Sequence, residues 1–228
     1  NLIPVFREIM ADMETPVSAF KSIDKGGSVF LLESIEGGEK WGRYSLLGVE
    51  PKVTFKSKGD EIEIIANGKK SKIKGDPVSV LRETLSRYKP VITDELPRFY
   101  SGAVGYIGYD MVRFFEDLPD KAASDIDIYD AFFVITETIL IFDNLEHKIK
   151  IVANAVVEKG DNPADVYKRA TKKIDGLVKR LKTSPSAYRA KKVAGKVGNK
   201  KEVISNFSQE KFIAGVLKAK EYIQAGDV

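Results

Sequence analysis

The sequence predicts an α+β fold, with largely antiparallel β-sheets packed against helices. Three observations carry that prediction. Ala131–Phe142 (AFFVITETILIF) is a long apolar run rich in β-branched residues; the polar turn Asp143–His147 and an alternating segment, Lys148–Ala153, follow it. That order is the signature of a hairpin. Asn67-Gly68 separates two short runs and marks a second hairpin, since both residues tolerate positive φ. Asp76-Pro77 and Asn162-Pro163 each precede apolar residues spaced three and four apart, so capped helices accompany the strands.

Taken in order, Pro4–Met13 carries Phe6, Ile9, Met10 and Met13, a helical stripe with Pro4 tolerated in the first turn. Thr15-Pro16 breaks it, and a second short helix is expected from Pro16 to about Ile23. Val29–Leu32 reads as a strand buried on both faces, with Arg43–Gly48 as its antiparallel partner across the Gly37-Gly38 loop. A meander follows. Lys52–Lys56 alternates, with Val53 and Phe55 on one side; Ile62, Ile64 and Ile65 form the next strand, and Lys69–Lys74 the third. Asp76 and Pro77 open a helix whose stripe is Val78, Leu81, Leu85 and Tyr88. In Ser101–Asp110 three glycines recur at every third position among aromatic residues. The spacing fits neither a dinucleotide fingerprint nor a phosphate loop, and it implies close approach to the backbone, by tight packing or by a ligand. Met111–Glu116 makes one short helix. Asn162-Pro163 starts a long one to about Leu181, with Tyr167, Ala170, Ile174, Leu177, Val178 and Leu181 on one side. Ser208 caps a last helix with Phe207 and Phe212 in staple positions; Phe212, Val216, Ala219 and Ile223 form its stripe, and Gly226 ends it.

This order divides the chain into a domain at 1–182, a basic linker at 183–206 and, at 207–228, the first helix of a second domain that is cut short. The 228 residues suffice for one large domain or two small ones, and 43% hydrophobic with 31% charged residues is a globular balance. No run approaches the roughly 18 consecutive apolar residues of a membrane span. The first residues, Asn1-Leu2-Ile3-Pro4, do not read as a secretory leader. The absence of cysteine excludes disulfides and cysteine metal sites and fits a reducing, cytoplasmic setting. The net charge of +4 is a local matter: lysine and arginine concentrate between Lys168 and Lys201, whereas Glu116–Asp130 is acidic. A membrane or nucleic-acid partner is therefore not expected.

One stretch stands out chemically. Val29–Leu32 runs into Glu33 and Ser34, so a carboxylate and a hydroxyl sit where the strand meets water. A carboxylate there accepts from an ammonium group, and the hydroxyl donates or accepts, which suits the amino end of a small ligand. On residue types alone, a solvated strand end with Glu33 in a surface ion pair is the simpler reading. No catalytic constellation is legible. A nucleophile–histidine arrangement would need His147, which sits alone in a turn, and Asp125, Asp127 and Asp130 lack the glycine and closing glutamate of a calcium loop.

Several stretches together resemble the N-terminal region of anthranilate synthase component I, of the chorismate-utilising enzymes. They are Leu31-Leu32-Glu33-Ser34, then Gly42–Gly48 (GRYSLLG), then Gly102–Asp110 (GAVGYIGYD), together with the opening Ile3–Val5 and Glu14–Val17. The closing Ala219–Val228 is similar to the start of the chorismate-binding domain. The resemblance implies the N-terminal half of that fold and an enzyme, a lyase of tryptophan biosynthesis, that makes anthranilate and pyruvate from chorismate. A glutamine amidotransferase subunit supplies its ammonia, Mg2+ is its cofactor and L-tryptophan its feedback inhibitor. It places the catalytic residues and metal carboxylates beyond Val228, so none falls here. It assigns Leu31, Leu32, Glu33 and Ser34 to the tryptophan pocket, with Tyr44 and Ser45 on the paired strand, and Lys40 or Arg43 toward the effector carboxylate. The aminodeoxychorismate synthase component of folate synthesis, a stand-alone amino-acid-binding module and a structural scaffold for the amidotransferase are the alternatives.

Overall fold

A computed structural model of the chain describes residues 1–24, 26–34, 42–119, 126–183 and 204–228. The chain divides into two compact units, Asn1–Ser186 and Ala187–Val228.

The first unit is built on one eight-stranded antiparallel sheet. Its strands are β1 (Leu2–Met10), β2 (Phe30–Leu32), β3 (Tyr44–Lys58), β4 (Glu61–Ala66), β5 (Lys69–Lys74), β6 (Ala103–Ile107), β7 (Ala131–Asp143) and β8 (Lys148–Val156). The order is β1-β8-β7-β3-β4-β5, with β2 on β3 and β6 on β7. The long strands β3 and β7 pair with each other and form the spine. Near one end they carry β2 and β8; near the other they carry β4 and β6. The mixed α and antiparallel β expectation holds.

Helix α1 (Pro16–Ile23) and helix α3 (Pro163–Thr183) pack on one face of the sheet. Their Ala19, Ile23, Ala170, Ile174, Leu177 and Leu181 meet Leu47, Val49, Leu140, Phe142, Ile149 and Ile151 in the main core. A smaller core joins Ile139, Ile141 and Val152 to Leu96 and Tyr100 of the segment before β6, with Phe6, Phe30, Tyr44 and Leu46 packed against it. Helix α2 (Pro77–Ser86) is capped by Asp76, whose carboxylate accepts from the N–H groups of Val78 and Ser79. Asn67 and Gly68 turn β4 into β5 with φ of 51° and 74°, the left-handed pair that the hairpin needs.

Several expectations change. Pro4–Met13 is not a helix: Leu2–Met10 is an outer strand paired with β8. Its Val5 and Ile9 pack on the main core and Phe6 on the smaller one, so both faces hold apolar residues and the two-residue period is masked. The two strands expected at Arg43–Gly48 and Lys52–Lys56 are one 15-residue strand that begins at Tyr44 and whose register shifts between Pro51 and Val53. Such a bulge lets a proline sit inside a strand. β2 is not buried on both faces: among the described residues it pairs only with β3, and Leu32 is 47% exposed. In α2 the buried residues are Pro77 and Thr84, whereas Val78, Leu81, Leu85 and Tyr88 are half-buried. In α3 Val166 is buried and Tyr167 is exposed, a shift of one position in the stripe. The short helix expected over Met111–Glu116 is a 3₁₀ helix two residues earlier, over Tyr109–Phe114. In the glycine-rich strand β6 the close approach at Gly105 is from the neighbouring strand β7. A Cβ there would lie 1.9 Å from the Phe132 carbonyl oxygen of the neighbouring strand.

In the second unit, helix α4 (Gln209–Ala225) is capped by Ser208 and closed by Gly226 at φ 81°. It has no buried residue, so Phe212, Val216, Ala219 and Ile223 are exposed. Of the 183–206 segment, residues 184–203 lie outside the described residues.

Candidate functional site

β2 and the start of β3 form the mouth that the sequence singles out. The register is Phe30 opposite Gly48, Leu31 opposite Leu47 and Leu32 opposite Leu46. Phe30 lies over the bare backbone of Gly48: a Cβ there would sit 2.0 Å from the ring. Phe30 thereby enters the smaller core, while Leu31 on the opposite face packs on the main core. These two side chains anchor a three-residue strand that delivers Glu33 and Ser34 to its open end. Glu33 is exposed and Ser34 half-buried.

The Ser34 N–H donates to Ser45 Oγ at 3.4 Å. Ser45 is fully buried, so its hydroxyl supports Ser34 instead of facing solvent. The same oxygen accepts from Asn144 Nδ2 at 3.3 Å, and that amide also donates to the Gly42 carbonyl at 3.2 Å. Arg43 Nε donates to both oxygens of Asp143 at 3.0 Å, and Nη2 to Asp143 at 2.6 Å and to Glu146 at 2.9 Å. Its guanidinium also lies 5.1 Å from the Tyr44 ring centroid.

Asp143 is the electrostatic centre of this arrangement, with a side chain only 3% exposed. Burial pushes its pKa up, but the Arg43 hydrogen bond and the Glu146 and Leu145 N–H groups outweigh that and hold the carboxyl below its usual range. Hydrogen bonding to Asp143, against a smaller desolvation effect, raises the Arg43 pKa above its ordinary value. Tyr44 is pushed up by burial and then by the Asp143 charge. The ion pairs continue outward from Glu146 to Lys148 at 3.2 Å and from Lys148 to Glu8 of β1 at 2.9 Å.

The structure thus brings Ser34, Arg43, Tyr44 and Ser45 together, with Leu31 and Leu32 as the strand that leads in. Lys40 lies outside the described residues. Sequence reasoning missed Asp143, Asn144 and Glu146, which it read only as a turn. An acid closing an apolar strand was the one local signal, and nothing local tied it to residues about a hundred positions earlier. A cleft of about 290 Å³ abuts the turn, between Glu14–Pro16 and Asp143, Asn144, His147 and Lys148. A second cleft, of about 440 Å³, lies among Lys56, Lys58, Lys72 and Lys74 on the β3–β5 meander. Three of these lysines face carboxylates, Glu63, Asp130 and Glu61, as a solvated surface does. Among the described residues no three histidine, cysteine, aspartate or glutamate side chains converge as metal ligands, and no helix is long and apolar enough to cross a membrane.

An antiparallel sheet flanked by helices, with this motif set in order along it, defines a class. The chain belongs to the chorismate binding enzyme family, whose profile matches residues 28–228. Along its whole length it is 39% identical to anthranilate synthase component 1 of Acetivibrio thermocellus and 40% identical to that of Aquifex aeolicus, covering 46% of each. The chain therefore spans about half the length of the curated relatives it matches. The crystal structure of anthranilate synthase component I from Streptococcus pneumoniae shares its fold. The TM-score is 0.55 at 24% identity, over 96% of this chain and 46% of that one. These likenesses bear out the resemblance carried by the motifs.

Proposed function

We propose that this chain is the N-terminal regulatory part of an anthranilate synthase component I, and that the β2–β3 mouth receives L-tryptophan as feedback inhibitor. The observation that carries the reading is the mouth itself: the exposed Glu33 carboxylate stands beside Ser34, whose N–H is tied through buried Ser45 to a fixed turn. The Glu33 carboxylate and the Ser34 hydroxyl, at the end of a strand whose backbone is held there, take the effector ammonium. Leu32 and Tyr44 line the approach, Leu31 anchors the strand from the opposite face, and Arg43 or Lys40 meets the effector carboxylate.

In this reading the complete enzyme is a cytoplasmic lyase that makes anthranilate and pyruvate from chorismate and ammonia delivered by a glutamine amidotransferase subunit. The domain spans 1–182, the linker 183–206, and 207–228 opens the chorismate-binding domain. The reading expects Mg2+ as the cofactor of the complete enzyme; among the described residues no three histidine, aspartate or glutamate side chains converge to hold it. The 228-residue chain alone is inactive and holds tryptophan poorly.

Tryptophan acts by shifting a population between two domain arrangements, and only its differential affinity does so, a coupling of about 1–3 kcal/mol. The test uses the full-length polypeptide. Ser34→Ala or Glu33→Gln weakens tryptophan inhibition about fivefold or more, while uninhibited turnover stays near that of the parent. Equal loss of both would mean that these residues only hold up the sheet.

A further inference from the structure

The buried carboxylate of Asp143, at the end of β7, pairs with Arg43. We infer that Asp143 is a positioning residue: it sets the tryptophan mouth from the β7–β8 turn without touching the effector. The inference rests on the effector reading above.

The geometry forms a relay. Asp143 accepts from Arg43 through three contacts and from the Leu145 and Glu146 N–H groups at 3.2 and 3.1 Å. One carboxylate therefore fixes both the side chain that opens β3 and the shape of the turn. The turn then holds β3 directly. The Asn144 N–H donates to the Arg43 carbonyl at 2.8 Å, and its side-chain amide reaches the Gly42 carbonyl and Ser45 Oγ. Ser45 Oγ in turn accepts the Ser34 N–H. The path runs from Asp143 through the turn to Asn144, Ser45 and Ser34, and every step is a hydrogen bond or a peptide unit. Bonds to an ionised acceptor are shorter and stronger than neutral ones, so the charged end of the relay holds its geometry best. The neutral end, at 3.3 and 3.4 Å, follows it. The contacts come from elements far apart in sequence, so their shared purpose is to fix the relative position of two strand ends.

Titration calorimetry of L-tryptophan into the full-length protein tests this, with Asp143→Asn, Asp143→Glu, Asn144→Ala and Ser34→Ala beside the parent. Asp143→Asn raises Kd about tenfold or more. Asp143→Glu, which keeps a charge for Arg43, recovers most of the loss, a rescue that a merely structural role does not produce. Asn144→Ala removes an exposed side chain, leaves the Arg43–Asp143 pair intact and still raises Kd about threefold. If Asp143→Asn does not fold, Asn144→Ala decides alone: a raised Kd supports the relay and an unchanged Kd overturns it. Asp143→Asn binding as the parent does, while Ser34→Ala binds weakly, overturns the relay and leaves the effector site standing. A parent that binds no tryptophan, or that binds it equally well after Ser34→Ala, overturns the effector reading and this inference with it.

Discussion

Gly48→Ala is the smallest change that loads the mouth without touching it. A Cβ at position 48 would lie 2.0, 2.4 and 2.7 Å from three atoms of the Phe30 ring. Ordinary contact begins near 3.4 Å, so the ring must move by about 1.4 Å (3.4 − 2.0) or the strands must part. β3 cannot yield, since it is held on one side by β7 and further along by β4. β2 can, because it is three residues long and, among the described residues, paired on one side only. The ring leaves the smaller core, at the cost of about 1–3 kcal/mol typical of overpacking. The displacement reaches Glu33 and Ser34 three and four positions on. Urea denaturation with hydrogen exchange on residues 30–34 reads the effect: a lower midpoint at unchanged slope, and faster exchange confined to β2 and the Ser34 amide. In the full-length protein tryptophan affinity falls as well. A variant within about 0.5 kcal/mol of the parent, with unchanged exchange, would refute the claim that Phe30 on Gly48 seats this strand.

Gly105→Ala is more damaging, because its Cβ would meet the backbone at 1.9 Å instead of a movable ring. β6 must separate from β7, and a loss of about 3 kcal/mol or more in urea denaturation is expected. Gly176→Ala has the opposite sign: it lies inside α3 with nothing within 4 Å, so unfolding free energy should rise by about 0.8–1.0 kcal/mol. The acid limb of stability tests Asp143. Its folded pKa is depressed, so its contribution is present above the unfolded value, near 3.9, and lost as pH falls through the folded value. The stability gap between the parent and Asp143→Asn should be flat above about pH 5 and close below about pH 4; a gap that widens in acid contradicts the assignment.

What could be read from the sequence was written locally. The Asn67-Gly68 turn, the Asp76 and Ser208 caps and the Gly226 terminus depend on residues within four positions of one another. β7 announced itself by length and β-branching. The first strand did not, because Val5 and Phe6 face different cores and their spacing mimics a helix. Long β3 was broken in two by Pro51, which a bulge absorbs. The mouth was half legible for the same reason. Ser34, Arg43 and Ser45 come together through one short hairpin, but Asp143 and Asn144 arrive only through the pairing of β3 with β7. No periodicity or spacing in a single sequence announces which turn will close over which strand end.

A crystal structure of the full-length protein with L-tryptophan tests the central claim most directly. The account predicts the effector ammonium within hydrogen-bonding distance of the Glu33 carboxylate or Ser34, with the indole against Leu32 or Tyr44. Tryptophan bound elsewhere, with residues 31–34 facing open solvent, would contradict it.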